Sequence, residues 1–326
     1  MRPRLAIAFT TPMLLLSATL WAGGVNEGAY EVLENGAGKF KVEIQNCPVA
    51  NANVESITME DLLIDAREIT TGTDWKYRTY GPGDAHYGSI TMSARAPGGF
   101  PGELFELSQV CFPPGGGLRP SITVTVLRAD GTDGRIYNFH DVLLVSYEAP
   151  DPEFPDPMET VVVKPTGFDC DSGSPDEPVL DPSRFLNGFG VTVGPSAEGF
   201  ETGGDMMWEF AQGGAITKEK KSLRFVDPAD ETQSRLKGAR FVGGVTLRGP
   251  LTAGRKALCQ WITETVQGKE WKRNLTVTEL TTRGKEKGFT YTDAFPTRYV
   301  FPNLSASGTG NLYEEITMKP IRLELT

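Results

Sequence analysis

Few side chains in this 326-residue chain have the type and spacing to do chemistry. Its histidines are His86 and His140, so a catalytic or metal centre built on imidazole has little to work with. The stretch FDCDSGSPDEP sets Asp169, Asp171, Asp176 and Glu177 close together. Alternating aspartates can wrap a calcium ion, and Asp169, Asp171 and Asp176 form a weak candidate set. The glycine spacing does not fit an EF-hand loop, however, and a solvated acidic linker is the simpler reading. Asp141 and Asp293 occupy matching places in two similar stretches, YNFHDVLLVSYEAP and FTYTDAFPTRYVFP. Paired carboxylates can act as acid and base. An aspartate at a strand end more simply bonds the backbone of its own turn. GPGDAH and SGTGNL lack the Lys-Ser/Thr of a phosphate loop, and neither Gly-x-Ser-x-Gly nor HExxH occurs. No catalytic, cofactor or metal residue is assigned with more than that weak acidic set, and the chain is expected to be non-enzymatic.

The cysteines depend on compartment. MRPR followed by an apolar run, broken at Pro12 and ending near Ala22, reads as a signal peptide over residues 1–22. Export to the periplasm, cell surface or medium would permit disulfides. Cys47, Cys111, Cys170 and Cys259 fit no zinc or redox spacing. Cys47 with Cys111, both in the first half, is the preferred pair, with buried free thiols as the alternative. Asn274 and Asn303 satisfy the glycosylation pattern, though Asn274 falls in an expected strand.

The positioning elements come from a repeat. METVVVKP at 158–165 returns as YEEITMKP at 313–320. YGSITMSAR (87–95) answers VGGVTLRGP (242–250), RPSITVTVL (119–127) answers KRNLTVTEL (272–280), and FKVEI (40–44) answers FGVTV (189–193). The order is kept and the offset stays between 149 and 155 positions. This points to internal duplication. Apolar residues alternate at Phe40, Val42, Ile44 and at Ile122, Val124, Val126, which predicts strands with one face in a core. RADGTDGR and TTRGKEKG read as hairpin turns. Each half offers one helix: GELFELSQVCF with Leu104, Leu107 and Cys111 on one face, and GRKALCQWITETV with Leu258, Trp261, Ile262 and Val266. The organisation expected is a first domain over 23–166, an acidic Pro/Ser linker over 167–186, and a second domain over 187–326.

Charge divides along the same line. Residues 23–185 carry 11 basic and 26 acidic side chains, and residues 186–326 carry 19 and 16. This argues against nucleic-acid binding by the whole surface and suits contact between unlike halves.

The segment YTDAFPTRYVFPNLSASGTGNLYEEITMKP resembles the tail-tube proteins of contractile phages, relatives of the inner-tube ring protein of type VI secretion. Tyr291, Asp293, Ala294, Phe295 and Pro296 fill an aromatic–polar–Asp–Ala–aromatic–Pro strand. Leu304, Ser305 and Ala306 begin the turn that follows, and Glu314 and Glu315 lead the closing strand. The resemblance implies a mainly β protein: two tandem tail-tube-like antiparallel β-barrel or sandwich domains, each with one helix. It also implies no cofactor and self-assembly into rings or filaments, three two-domain chains to a pseudo-hexameric ring, with a capping or sheath-like partner conceivable. The family pattern is a single domain without a signal, so this chain departs from it twice. The alternative is an exported two-domain β-sandwich that binds a glycan or surface partner, for which Trp75, Tyr77, Tyr80 and Tyr87 are the aromatic candidates.

Overall fold

The computed structural model describes residues 31–47, 53–69, 79–112, 119–173, 189–195, 206–210, 215–218, 245–253, 256–269, 271–280 and 286–325. The signal peptide, Trp75, Tyr77, Asp176 and Glu177 lie outside them. The first half runs β1 (Phe40–Gln45), β2 (Ser56–Met59), β3 (Leu62–Ile69), β4 (Thr79–His86), β5 (Ile90–Arg95), α1 (Glu103–Val110), β6 (Ser121–Leu127), β7 (Asp133–His140), β8 (Leu143–Glu148), β9 (Met158–Lys164) and β10 (Gly167–Ser172). The second runs β11 (Phe189–Pro195), β12 (Met206–Phe210), β13 (Ala215–Lys218), β14 (Val245–Pro250), α2 (Lys256–Val266), β15 (Arg273–Leu280), β16 (Glu286–Val300), β17 (Leu304–Ser305), β18 (Tyr313–Lys319) and β19 (Arg322–Leu325).

The protein is mainly β, and its strands pair antiparallel. Among the described residues three sheets form: β1-β6-β7-β10, β17-β2-β5-β9-β8, and a ten-stranded sheet along β12-β11-β15-β16-β18-β14-β13 that also takes in β19, β3 and β4. Among the described residues no sheet closes on itself, so the barrel alternative is set aside in favour of packed open sheets. One further expectation is corrected. Gly167–Ser172, assigned above to the linker, is a strand along β7, with Phe168 opposite Phe139. Phe168, Cys170 and Ser172 are buried while Asp169 and Asp171 point outward.

The ladders of the first half recur in the second with matching register. β1 pairs β6 with Phe40 opposite Val126, and β11 pairs β15 with Phe189 opposite Glu279. Ile122 faces Phe139 across β6 and β7, and Leu275 faces Tyr291 across β15 and β16. Phe139 faces Phe168, and Tyr291 faces Leu323. Ile90 faces Val163, and Val245 faces Met318. The ladder of β8 and β9 is bulged between Leu144 and Ser146, and that of β16 and β18 between Pro296 and Arg298. Period-two burial makes such registers specific, because a one-residue slip would turn every core side chain to solvent.

The chain changes ladder partners at the same place in both halves. Asp141 (φ 47°) separates β7 from β8, and Asp293 (φ 52°) sits inside β16 where its partners change from β15 and β19 to β18. Aspartate tolerates this left-handed conformation better than most residues.

The helices plug this framework as their periodicity predicts. Leu104, Leu107 and Cys111 are buried, as are Leu258, Trp261 and Ile262, while Val266 packs against the core from a half-buried position. One continuous core takes in residues of both halves.

Candidate assembly interface

The site of interest is the joint between the halves. β3 runs from the first half onto β16 of the second, with Leu62 opposite Tyr299 and Leu63 opposite Arg298. Asp61, just before β3, binds the Arg298 guanidinium at 2.6 Å. Further along the β3–β4 hairpin, the ammonium of Lys319 lies 4.9 Å from the centre of the Tyr80 ring. A Cβ added at Gly81 would meet Ile69 at 2.5 Å and the Trp271 ring at 3.2 Å, so glycine there lets the hairpin lie close. Trp271 in turn packs edge-on against Phe295, ring centres 5.1 Å apart. β17 returns the exchange by pairing with β2, Leu304 opposite Ile57. The chain before β1 threads between these parts: Leu33 donates to the Leu251 carbonyl at 2.8 Å and accepts from Leu312 at 2.9 Å.

α2 belongs to the second half yet rests on β10 of the first. Thr263 Oγ1 accepts from the Cys170 backbone N–H at 3.0 Å. Cys170 and Cys259 are disulfide-bonded across this contact, and Cys47 is bonded to Cys111 within the first half.

A buried polar network lies at the centre. Arg135 of β7 and Glu314 of β18 are both fully buried, with 3.6 Å between guanidinium and carboxylate. Arg135 also donates to the Thr252 carbonyl at 3.1 Å, and Tyr299 donates to Glu314 at 2.7 Å. The Tyr137 and Tyr299 hydroxyls are 3.2 Å apart. Burial, then the Glu314 charge, pushes the Tyr299 hydroxyl well above its ordinary pKa. Around them Tyr137, Phe139, Phe168 and Phe301 form an aromatic cluster that also spans the halves.

The matching glutamate of the first half does different work. Glu159 is fully buried and accepts from the backbone N–H groups of Gly102, Leu104 and Phe105 at 3.0, 2.9 and 3.2 Å. It therefore satisfies and charge-stabilises the N-terminus of α1, whose own cap residue offers no side chain. Tyr147 donates to it at 3.2 Å. Burial, then the Glu159 charge, raises the Tyr147 hydroxyl to about 12.

Of the residues singled out by sequence, Tyr291, Ala294, Phe295, Leu304 and Glu314 are buried at or beside this joint. Pro296 faces Met318 across the β16–β18 ladder, and Glu315 binds Arg298 at 3.4 Å. The Ser305 and Ala306 backbone groups are held by Asn35 and Glu55 of the first half. Asp169 accepts from Asn138 at 2.7 Å and bonds His140. Asp171 accepts from the Ser172 backbone, and Asp176 lies outside the described residues. Among the described residues no group of three or more His, Cys, Asp or Glu is placed to hold a metal. Asp141 and Asp293 share their backbone conformation but sit in separate halves. Tyr87 is half-buried against the core. Arg135 went unnoticed in the sequence, where it looks like the end of a polar turn.

The chain is similar to components of contractile injection systems. It shares 16% identity with a chain of an extracellular contractile injection system in its sheath–tube complex, over 41% of this chain and 88% of that one, at a TM-score of 0.32. With a chain of the anti-feeding prophage cap it shares 19% over 41% and 87%, at 0.31. With Hcp1 from Flavobacterium johnsoniae it shares 17% over 36% and 94%, at 0.22. No family model matches the chain, and no curated protein does.

Proposed function

We propose that the chain is an exported, non-enzymatic structural protein made of two copies of one tube-type domain, and that three chains join into a ring of six domains. The observation that carries this reading is the shared register of the ladders, bulge included. Strands of similar composition can look alike, but the same partners, offset and bulge support the reading of one unit written twice. Two such units joined edge to edge through β3 on β16 and β17 on β2 form a heterologous contact, which closes into a ring if the rotation permits. The acidic first half and the mildly basic second half favour unlike neighbours around that ring. Rings would stack through their flat faces, where a capping or sheath-like partner would also bind. Export rests on the apolar N-terminal run and agrees with two disulfides.

Negative-stain electron microscopy of the full chain at high and low concentration tests the reading. Rings with a central opening and six similar lobes, or tubes of them, are expected. Single particles of one chain's size, even when concentrated, would contradict it.

A further inference from the structure

We infer that the face formed by β8 and the outer side of α1 is the docking surface for a second copy of this chain, which arrives through its second half. The inference rests on the assembly reading above and says where the contact between chains lies.

Each half has the same two surfaces, and the molecule itself shows what covers one pair of them. The edge of β16 at Arg298 and Tyr299 is covered by β3 of the other half, and Phe295 nearby, packed against Trp271 of its own half, is 0% exposed. The matching residue on β8, Leu143, faces Lys164 as Phe295 faces Lys319, yet it is 46% exposed. Among the described residues β8 pairs with β9 alone, which leaves its other edge open. Val145, at the bulge, is 57% exposed. An open edge bearing large apolar side chains is a template for pairing with another chain.

The helices repeat the contrast. With Leu104 and Leu107 aligned on Leu258 and Trp261, Phe105 takes the place of Cys259. Cys259 is buried against β10 of the other half, whereas Phe105 is 40% exposed. Phe105 and Tyr147 have ring centres 5.3 Å apart, so the exposed side of α1 adjoins the open edge of β8, whose Leu143 lies on the opposite face of the strand from Tyr147. The turn after β8 adds exposed Phe154. Both openings are thus on the first half, at the places where the second half is covered by a first half.

What would cover them is a second half, for three reasons. The in-chain joint already shows that these surfaces take the opposite half. The rim of the patch is acidic, with Glu103, Glu106, Glu148, Asp151 and Glu153 all exposed, and the second half is the more basic one. Finally, β2 carries β17 on its outer edge, while β13 ends the described path of its sheet. Among the described residues the second half therefore brings an uncovered edge of its own, and open edges at opposite ends are what a head-to-tail contact needs.

The test is the particle mass of the full chain against concentration, for the wild type and for Phe105→Glu and Val145→Glu. Both residues are exposed, so the variants should keep the wild-type melting curve. The expected result is a wild-type oligomer and self-association weakened by about tenfold or more in each variant, with Phe105→Leu closer to wild type. A wild-type oligomer whose mass neither glutamate changes would overturn this surface and leave the assembly reading standing. A wild type that stays a single chain would overturn both. Hydrogen exchange on the unaltered chain gives an answer even if a variant fails to fold. The β8 amides should exchange faster on dilution, and concentration-independent exchange in an oligomer would again overturn the surface.

Discussion

β8 and the last third of β16 descend on β9 and β18 with the same register and the same bulge, yet one is open and the other closed. The difference lies outside both strands. β16 has β3 along its free edge and Trp271 against Phe295, and among the described residues β8 has neither. The same local geometry can therefore be core or surface depending on which neighbour is present. Glu159 and Glu314 show the same divergence one strand further in. One serves its own helix, and the other reaches Arg135 in the opposite half.

The largest effect should come from breaking the joint at its charged centre. Glu314→Ala leaves the Arg135 guanidinium buried without its carboxylate, and such truncations cost about 3–5 kcal/mol. Urea unfolding of the full chain measures it. Replacing Arg135 and Glu314 together with apolar residues of similar size should cost much less than either single change, and a double loss equal to the sum of the single losses would mean that the pair is not coupled.

Phe295→Ala should cost about 3–5 kcal/mol, as loss of a buried ring does, because Trp271 and its neighbours cannot fully collapse into the space. A loss below about 1 kcal/mol in that unfolding curve would mean that the covered state of β16 contributes little.

Glu159→Gln sharpens the comparison within the first half. It keeps the side chain's shape but removes the charge and turns one of the two acceptor oxygens into a donor, so the α1 N-terminus should lose about 1 kcal/mol or more. The Tyr147 hydroxyl should fall from about 12 toward its ordinary 10.0, followed by ultraviolet titration of tyrosinate. The sign follows from linkage. Folded Tyr147 keeps its proton to higher pH than the unfolded residue, so its stabilising contribution is complete below pH 10 and is lost as pH rises toward 12. That alkaline loss should shrink in Glu159→Gln.

The smallest effect is expected at Leu143→Ala, the counterpart of Phe295→Ala. On an open edge it should change the stability of the isolated chain by no more than about 0.5 kcal/mol. A large loss for the unassembled chain would erase the contrast between β8 and β16.

Much of this was legible in residue order. The strands follow from alternation at Val42, Ile44, Val124 and Val126, and the helices from Leu104, Leu107, Leu258 and Trp261. The paired octets fall on β9 and β18, with Pro165 and Pro320 just beyond them. Other parts were hidden for physical reasons. β10 alternates like any strand, but Asp169 and Asp171 on its outer face gave it the composition of a linker. Arg135 is a core residue because Glu314 sits opposite it, far away in sequence, and no local pattern announces a partner at that distance. Which edges stay open depends on the reach of the β3–β4 hairpin, a tertiary property that period two does not encode.

The most direct test of the central claim, that the joint inside the chain is repeated between chains, is the mass of the assembled wild-type particle in solution. Head-to-tail repetition around a closed ring predicts three chains per particle or whole multiples of three. A particle of one chain, or a two-chain particle that grows no further with concentration, would contradict it.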